Sequence, residues 1–199
     1  MTDLSSRLSR WSTRLSSLPY LALPTDYPRP SPARVVESVQ TIVLSPSHLD
    51  SLDNLSSSST ISSPSPTPFQ LLLTSFILLL HRYTPDPSLL ICTSVKSTDA
   101  AGSSTPLLLL INIGEGETFA SLLKQVIEVE QEAKRDAVPL DELEKEIKRT
   151  QPERGEGPLF RVRFLDESDS TSSSSSVEGS MGLETDMTLV YGKDHQTGG

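Results

Sequence analysis

The chain is 199 residues long and carries 17 basic against 26 acidic residues, a formal net charge of −9. That balance argues against a nucleic-acid or anionic-membrane surface, which needs clustered Lys and Arg. Only 35% of the residues are apolar and 5% aromatic, low for a globular domain of this length, and serine fills roughly one position in six. The expectation is one core built from about two thirds of the chain, with the rest solvated. Cys92 is the single cysteine, so an internal disulfide and a cysteine-based metal site are both excluded. A cytoplasmic protein is the expected setting. The longest apolar run, 69–80, is too short and too interrupted for a membrane span.

In chain order, Leu4, Leu8, Trp11, Leu15 and Leu18 recur at spacings of four and three, which predicts an amphipathic helix over 3–18. Its arginines point outward and Pro19 ends it. Residues 23–30 form a proline-bearing extended connector. Val39 to Leu44 reads as a strand, and 45–66 as a flexible Ser/Pro insert. Thr67-Pro68-Phe69-Gln70 unites an N-cap hydroxyl, proline at the first helical position and a glutamine three residues after the cap. The helix that follows carries Phe69, Leu72, Leu73, Phe76, Leu79, Leu80 and Tyr83 on its inner face. Leu89 to Val95 reads as a short buried strand. Leu107 to Ile113 reads as a strand covered on both faces.

Thr118 caps the next helix, with Phe119, Leu122, Leu123, Val126 and Ile127 inward. A further helix begins near Pro139, carrying Leu140, Leu143 and Ile147 inward and a Glu144/Lys148 pair outward. Leu159 to Leu165 alternates Phe160, Val162 and Phe164 with Arg161 and Arg163, a strand pattern. A second flexible Ser-rich insert is expected over 166–182, and a last strand starts near Thr188. Strands alternating with helices indicate an α/β layer structure whose ordered core spans 67–165.

No catalytic, cofactor-binding or metal-ligating residue is assigned. His48, His81 and His195 lie apart, none beside a second ligand at metal spacing. His81 reads as a surface residue at its own helix C-terminus. Gly114-Glu-Gly116 and Gly155-Glu-Gly157 read as turns, because an acidic residue between the glycines would repel phosphate. Asp141, Glu142, Glu144 and Glu146 alternate with Lys145, Lys148 and Arg149 and read as a solvated helix face. Cys92, within an apolar strand, reads as an inert buried thiol.

A resemblance rests on ordered blocks. Trp11 with Leu15 and Leu18, then 23–30, is similar to the crossing segment that opens the C-terminal lobe of condensation domains in nonribosomal peptide synthetases. Thr67 to Thr74 with His81-Arg82-Tyr83-Thr84 resembles the helix that follows there. Ile91-Cys92-Thr93-Ser94-Val95 sits at a short Gly-Thr strand of that lobe, with Cys92 in place of the glycine. Thr118-Phe119 with Leu122-Leu123, then 138–143, 158–164 and 186–189, continue the match.

The family's His-His-x-x-x-Asp-Gly acyl-transfer motif has no counterpart, since no two histidines are adjacent. The match begins within a few residues of Met1. That arrangement resembles the N-terminal condensation-like region of the fungal aminoadipate reductase family, particularly at 140–143 and 160–167. The resemblance implies a partial chloramphenicol-acetyltransferase-like lobe, a mixed sheet with packed helices, over 1–199. The lobe is expected to be incomplete and to show an unfilled edge or exposed apolar surface.

For the parent, the resemblance implies an adenylation domain as intramolecular partner, ATP with Mg, a phosphopantetheine carrier and NADPH. It assigns no cofactor to this segment, which it implies is inactive on its own, and no nucleic-acid or membrane partner. A detached C-terminal lobe of a peptide-synthetase condensation domain, or an inactive truncated product, remains the alternative. In the core of the lobe the expected residues are Phe69, Leu72, Phe76, Leu79 and Phe164.

Overall fold

The computed structural model describes residues 4–16, 23–25, 38–57, 65–84, 86–96, 104–152, 158–167 and 185–192. Its elements are α1 (Leu4–Ser16), α2 (Pro46–Ser57), α3 (Pro68–Tyr83), β1 (Ser88–Lys96), β2 (Ser104–Asn112), α4 (Phe119–Arg135), α5 (Leu140–Thr150), β3 (Val162–Asp166) and β4 (Met187–Tyr191). The four strands form one mixed sheet in the order β2-β1-β3-β4. β1 and β2 are antiparallel, whereas β1–β3 and β3–β4 are parallel.

Side-chain alternation splits β1 and β2 between two cores, which is why 89–92 and 107–111 are both continuous apolar runs. Leu89, Ile91, Leu107, Leu109 and Ile111 join α3, α4, Val162 and Phe164 on one face. Leu90, Cys92 and Leu108 join Trp11, Leu15, Leu140, Leu143 and Ile147 of α1 and α5 on the other. The sheet is thus sandwiched between two helical layers.

The start of α3 forms as its sequence predicts. Gln70 N–H donates to Thr67 Oγ1 at 3.2 Å, and Thr67 N–H donates to Gln70 Oε1 at 2.9 Å. These reciprocal bonds satisfy two backbone donors that a bare helix end would leave unpaired. Thr118 caps α4 through the same arrangement, with Ser121 as the third residue.

The inner face of α3 is rotated from the expected one. Leu73, Phe76, Ile77 and Leu80 are buried in the core, Phe69 and Leu72 are partly buried, and Leu79 is 51% exposed with Tyr83 also in solvent. Leu79 therefore is not a core residue. In a helix apolar at Leu71, Leu72, Leu73, Ile77, Leu78, Leu79 and Leu80, several stripes are equally apolar, so tertiary packing selects the phase. Leu71 is buried instead against Leu123 and Ile127 of α4.

Three other expectations change. Residues 39–44 form no strand: they are exposed, Ile42 at 86%, and β propensity without a ladder partner does not make a strand. Within the expected flexible insert 45–66, Pro46–Ser57 is an α-helix, whose Leu52 packs against the Leu71–Leu123–Ile127 cluster. Phe119, expected inward, is 39% exposed at the first position of α4. Leu18, the connector beyond Thr25, most of 166–182 and Gly155 to Gly157 lie outside the described residues.

β4 carries the exposed apolar edge. Its Met187, Leu189 and Val190 are 43%, 37% and 39% exposed, although all five of its residues are in register with β3. Arg161 and Asp186, paired at 3.4 Å, tie the two parallel strands at their beginnings.

Candidate functional surfaces

Cys92, His48 and His81 are the described residues of the types that most often carry chemistry at a neutral pH. Cys92 is 2% exposed, and its thiol donates to the Thr93 carbonyl at 3.6 Å. Burial pushes this thiol up to about 12, against a smaller opposing effect of Arg163, so it stays protonated and is a poor nucleophile. His48 Nδ1 lies 2.7 Å from Ser45 Oγ in the first turn of α2. His81 occupies the last turn of α3, and His195 is outside the described residues. Among the described residues no three His, Cys, Asp or Glu side chains could hold a metal ion.

The acidic face of α5 is solvated as expected, but its pairing is different. Glu142–Lys145 at 3.4 Å and Glu146–Arg149 at 2.6 Å are i,i+3 pairs, and they take the place of the expected Glu144/Lys148 pair. The Arg149 hydrogen bond holds Glu146 below the usual carboxylate range, the opposite of what a general acid needs. Gly114 to Glu117 is a turn: Gly116 has φ 73°, and Gly114 N–H donates to Glu117 Oε2 at 3.1 Å. Glycine takes that φ without strain.

Buried polar groups escaped sequence reasoning. Glu130, 6% exposed, accepts from Gln70 Nε2 at 2.6 Å and pairs with Lys134 at 2.8 Å. Gln70 therefore uses its oxygen to cap α3 and its nitrogen to tie α3 to α4. The i,i+4 spacing of Glu130 to Lys134 is visible in sequence; the burial of Glu130 is not. Tyr191 is raised above its ordinary value by burial, then by the charges of Asp166 and Asp53.

Thr93 is 1% exposed, and its Oγ1 has no hydrogen-bond partner among the described residues. An unpaired buried hydroxyl is costly. Thr93→Val is therefore expected to stabilise the fold by about 1 kcal/mol, read as a higher urea midpoint with unchanged slope; a lower midpoint would refute an unpaired hydroxyl there.

A crevice lined by Trp11, Pro106, Leu108, Ala133, Val138 and Leu140 holds about 10 Å³, space for one water. No helix among the described residues is long and apolar enough to cross a membrane.

Comparison with known proteins adds what the side chains do not carry. No protein-family model matches the chain. It is 32% identical over 194 residues to L-2-aminoadipate reductase of Schizosaccharomyces pombe, a match covering 95% of this chain and 13% of that protein. A linear gramicidin synthase from Brevibacillus parabrevis is 30% identical over 171 residues, 81% of this chain and 3% of that one. The chain thus spans a small part of the curated relatives it matches. In fold, the first condensation domain of the CDA synthetase superimposes with a TM-score of 0.61 at 15% identity, over 82% of this chain and 35% of that domain. The mixed sheet, its two helical layers and the order of the matched blocks agree: the chain is a condensation-like region of the nonribosomal-peptide-synthetase-like family, whose relatives include L-2-aminoadipate reductase.

Proposed function

We infer that this chain is a non-catalytic condensation-like segment of an L-2-aminoadipate reductase. Its role is to pack against the adenylation domain of the same polypeptide. The observation that carries this reading is the 32% identity extending over 95% of the chain. Two features support it. The sequence has no adjacent histidines, so the acyl-transfer motif of condensation domains has no counterpart. The Cys92 thiol and the Glu146 carboxylate are held in states unsuited to nucleophilic and acid catalysis respectively.

In this reading the parent enzyme activates aminoadipate with ATP and Mg. It loads the acyl group on a phosphopantetheine thiol and reduces it with NADPH to the semialdehyde, a step of lysine biosynthesis. This segment contributes folded surface to that chain and no cofactor ligand.

The isolated chain is expected to give only background aminoadipate-dependent ATP–pyrophosphate exchange, measured with labelled pyrophosphate. Exchange clearly above the enzyme-free control would overturn the reading. The 30% match to a gramicidin synthase favours a second reading, the C-terminal lobe of an acyl-transferring condensation domain. Coding sequence upstream of Met1 that supplies an in-frame His-His-x-x-x-Asp-Gly would select it.

A further inference from the structure

We propose that Ser45 is a phosphorylation site for a proline-directed protein kinase, with a nucleoside triphosphate as phosphoryl donor. The sequence holds Ser/Thr-Pro pairs at several places, among them Ser45-Pro46, Ser65-Pro66, Thr67-Pro68, Thr84-Pro85 and Thr105-Pro106. The structure separates these five. A kinase of this class must thread the acceptor and the residues before it through its cleft in extended form, with the following proline against its own surface.

Pro66 is buried, so Ser65 cannot present its proline. The hydroxyl of Thr67 is engaged by Gln70 N–H in the α3 cap. Thr84 is 4% exposed, its Oγ1 donating to the Leu80 carbonyl at 3.1 Å. Thr105 lies within β2, paired with Val95 of β1.

Ser45 Oγ also has partners, Ser47 Oγ at 2.9 Å and His48 Nδ1 at 2.7 Å, but both belong to exposed residues of a helix with no buried residue, whereas Thr67 follows the buried Pro66 and caps a helix packed in the core. Ser45 and Pro46 are both exposed, and so is every residue from Ser38 to Leu44, none of them in a helix or strand. That stretch is an accessible peptide, outside any helix or strand, ending on an acceptor hydroxyl followed by proline. In the transfer, Ser45 Oγ gives its proton to the kinase's carboxylate base and forms the new Oγ–P bond. The bond between the γ-phosphorus and the bridging oxygen breaks, and the nucleoside diphosphate leaves.

The structural effect follows from where Ser45 stands. Its carbonyl accepts from His48 N–H at 2.9 Å and Leu49 N–H at 3.2 Å, and its hydroxyl touches His48 Nδ1. The phosphate therefore adds negative charge at the start of α2, a helix with no acidic residue in its first turn and no buried residue. Such a helix is marginal, and charge of this sign stabilises it. Modification tightens α2 over the Leu71–Leu123–Ile127 cluster that its Leu52 covers.

The full chain, treated with a purified proline-directed kinase and ATP, is to be mapped by mass spectrometry over time. Phosphate is expected on Ser45 before any appears on Ser65, Thr67, Thr84 or Thr105, and Pro46→Ala is expected to suppress it. Ser45→Asn, which keeps a capping side chain, is expected to fold normally and to lose that signal. The modified chain is expected to show about fivefold slower amide exchange across 49–57. Earlier modification of any of the other four sites, Ser45 incorporation insensitive to Pro46→Ala, or unchanged exchange over α2 would overturn the proposal.

Discussion

Phe164→Ala is expected to cost about 3–5 kcal/mol of folding stability, seen as a large drop in the urea midpoint. Phe164 is 1% exposed on the central strand β3 and packs against α3. Its ring meets Phe69 edge-on at 5.2 Å between centroids and Phe76 at 5.5 Å. Truncation removes a large buried area and leaves a cavity that α3 and the sheet cannot close together. It also removes two ring contacts, each worth about 0.5–1.5 kcal/mol. Against a total stability of about 5–15 kcal/mol for a domain, the loss takes a large fraction. Phe164→Leu, which keeps most of the volume, is expected to cost less than about 1.5 kcal/mol. A Phe164→Ala loss below about 1 kcal/mol would show that this ring is not where the two layers meet.

Trp11→Ala is expected to act on a different part of the molecule, at a comparable cost of about 3–5 kcal/mol. Trp11 is 5% exposed and packs with Leu15 into the α5 side of the sheet. Its indole N–H donates to the Asp136 carbonyl at 3.4 Å. Arg7 donates to the Ala137 carbonyl at 2.7 Å, and Arg10 pairs with Asp136 at 2.9 Å. α1 is thus held on the short link between α4 and α5, and Gln151 adds a hydrogen bond to the Ser12 carbonyl at 2.8 Å. A 13-residue helix is marginal without such docking. Amide exchange is the appropriate measurement: α1 is expected to lose its protection while β1 and β2 keep theirs. Equal loss in α1 and the sheet would contradict a separately docked helix.

Features decided over a few consecutive residues were legible in the sequence. The Thr67 cap needs only Thr67, Pro68 and Gln70, and it forms as read. The strands β1 and β2 announce themselves through the apolar runs 89–92 and 107–111, because both faces are covered there. What failed depended on partners far along the chain. Leu79 and Ile77 are equivalent by composition, and only the positions of β1 and β3 decide which turns inward. Residues 46–57 read as a flexible insert from the Ser and Pro content of 45–66; a helix with no buried residue, whose Leu52 is partly buried against α3 and α4, has too weak an apolar stripe to detect. Val39 to Leu44 has strand propensity and pairs with no strand among the described residues.

The sequence assigns no catalytic, cofactor-binding or metal-ligating residue. Cys92, the three histidines and the α5 carboxylates carried no catalytic pattern; the structure buries Cys92, sets His48 against Ser45 at the start of α2, and pairs Glu142 and Glu146 with Lys145 and Arg149. The family relation resided in the order of short blocks, information that no single side chain holds. Glu130 shows the complementary limit: its burial beneath Gln70 arises from the approach of two helices about 60 positions apart.

The mixed sheet also orders events in time. Lys96 pairs with Ser104 about eight positions away, a loop that closes at low entropic cost. Ile91 pairs with Val162 about 70 positions downstream, so the parallel half of the sheet must wait for α4 and α5 to bring the chain back. The antiparallel hairpin and its helices therefore assemble first, and β3 and β4 are added to a surface already formed. Contacts made that late hold the molecule closed without speeding its formation, so Phe164→Ala is expected to accelerate unfolding and leave the folding rate nearly unchanged.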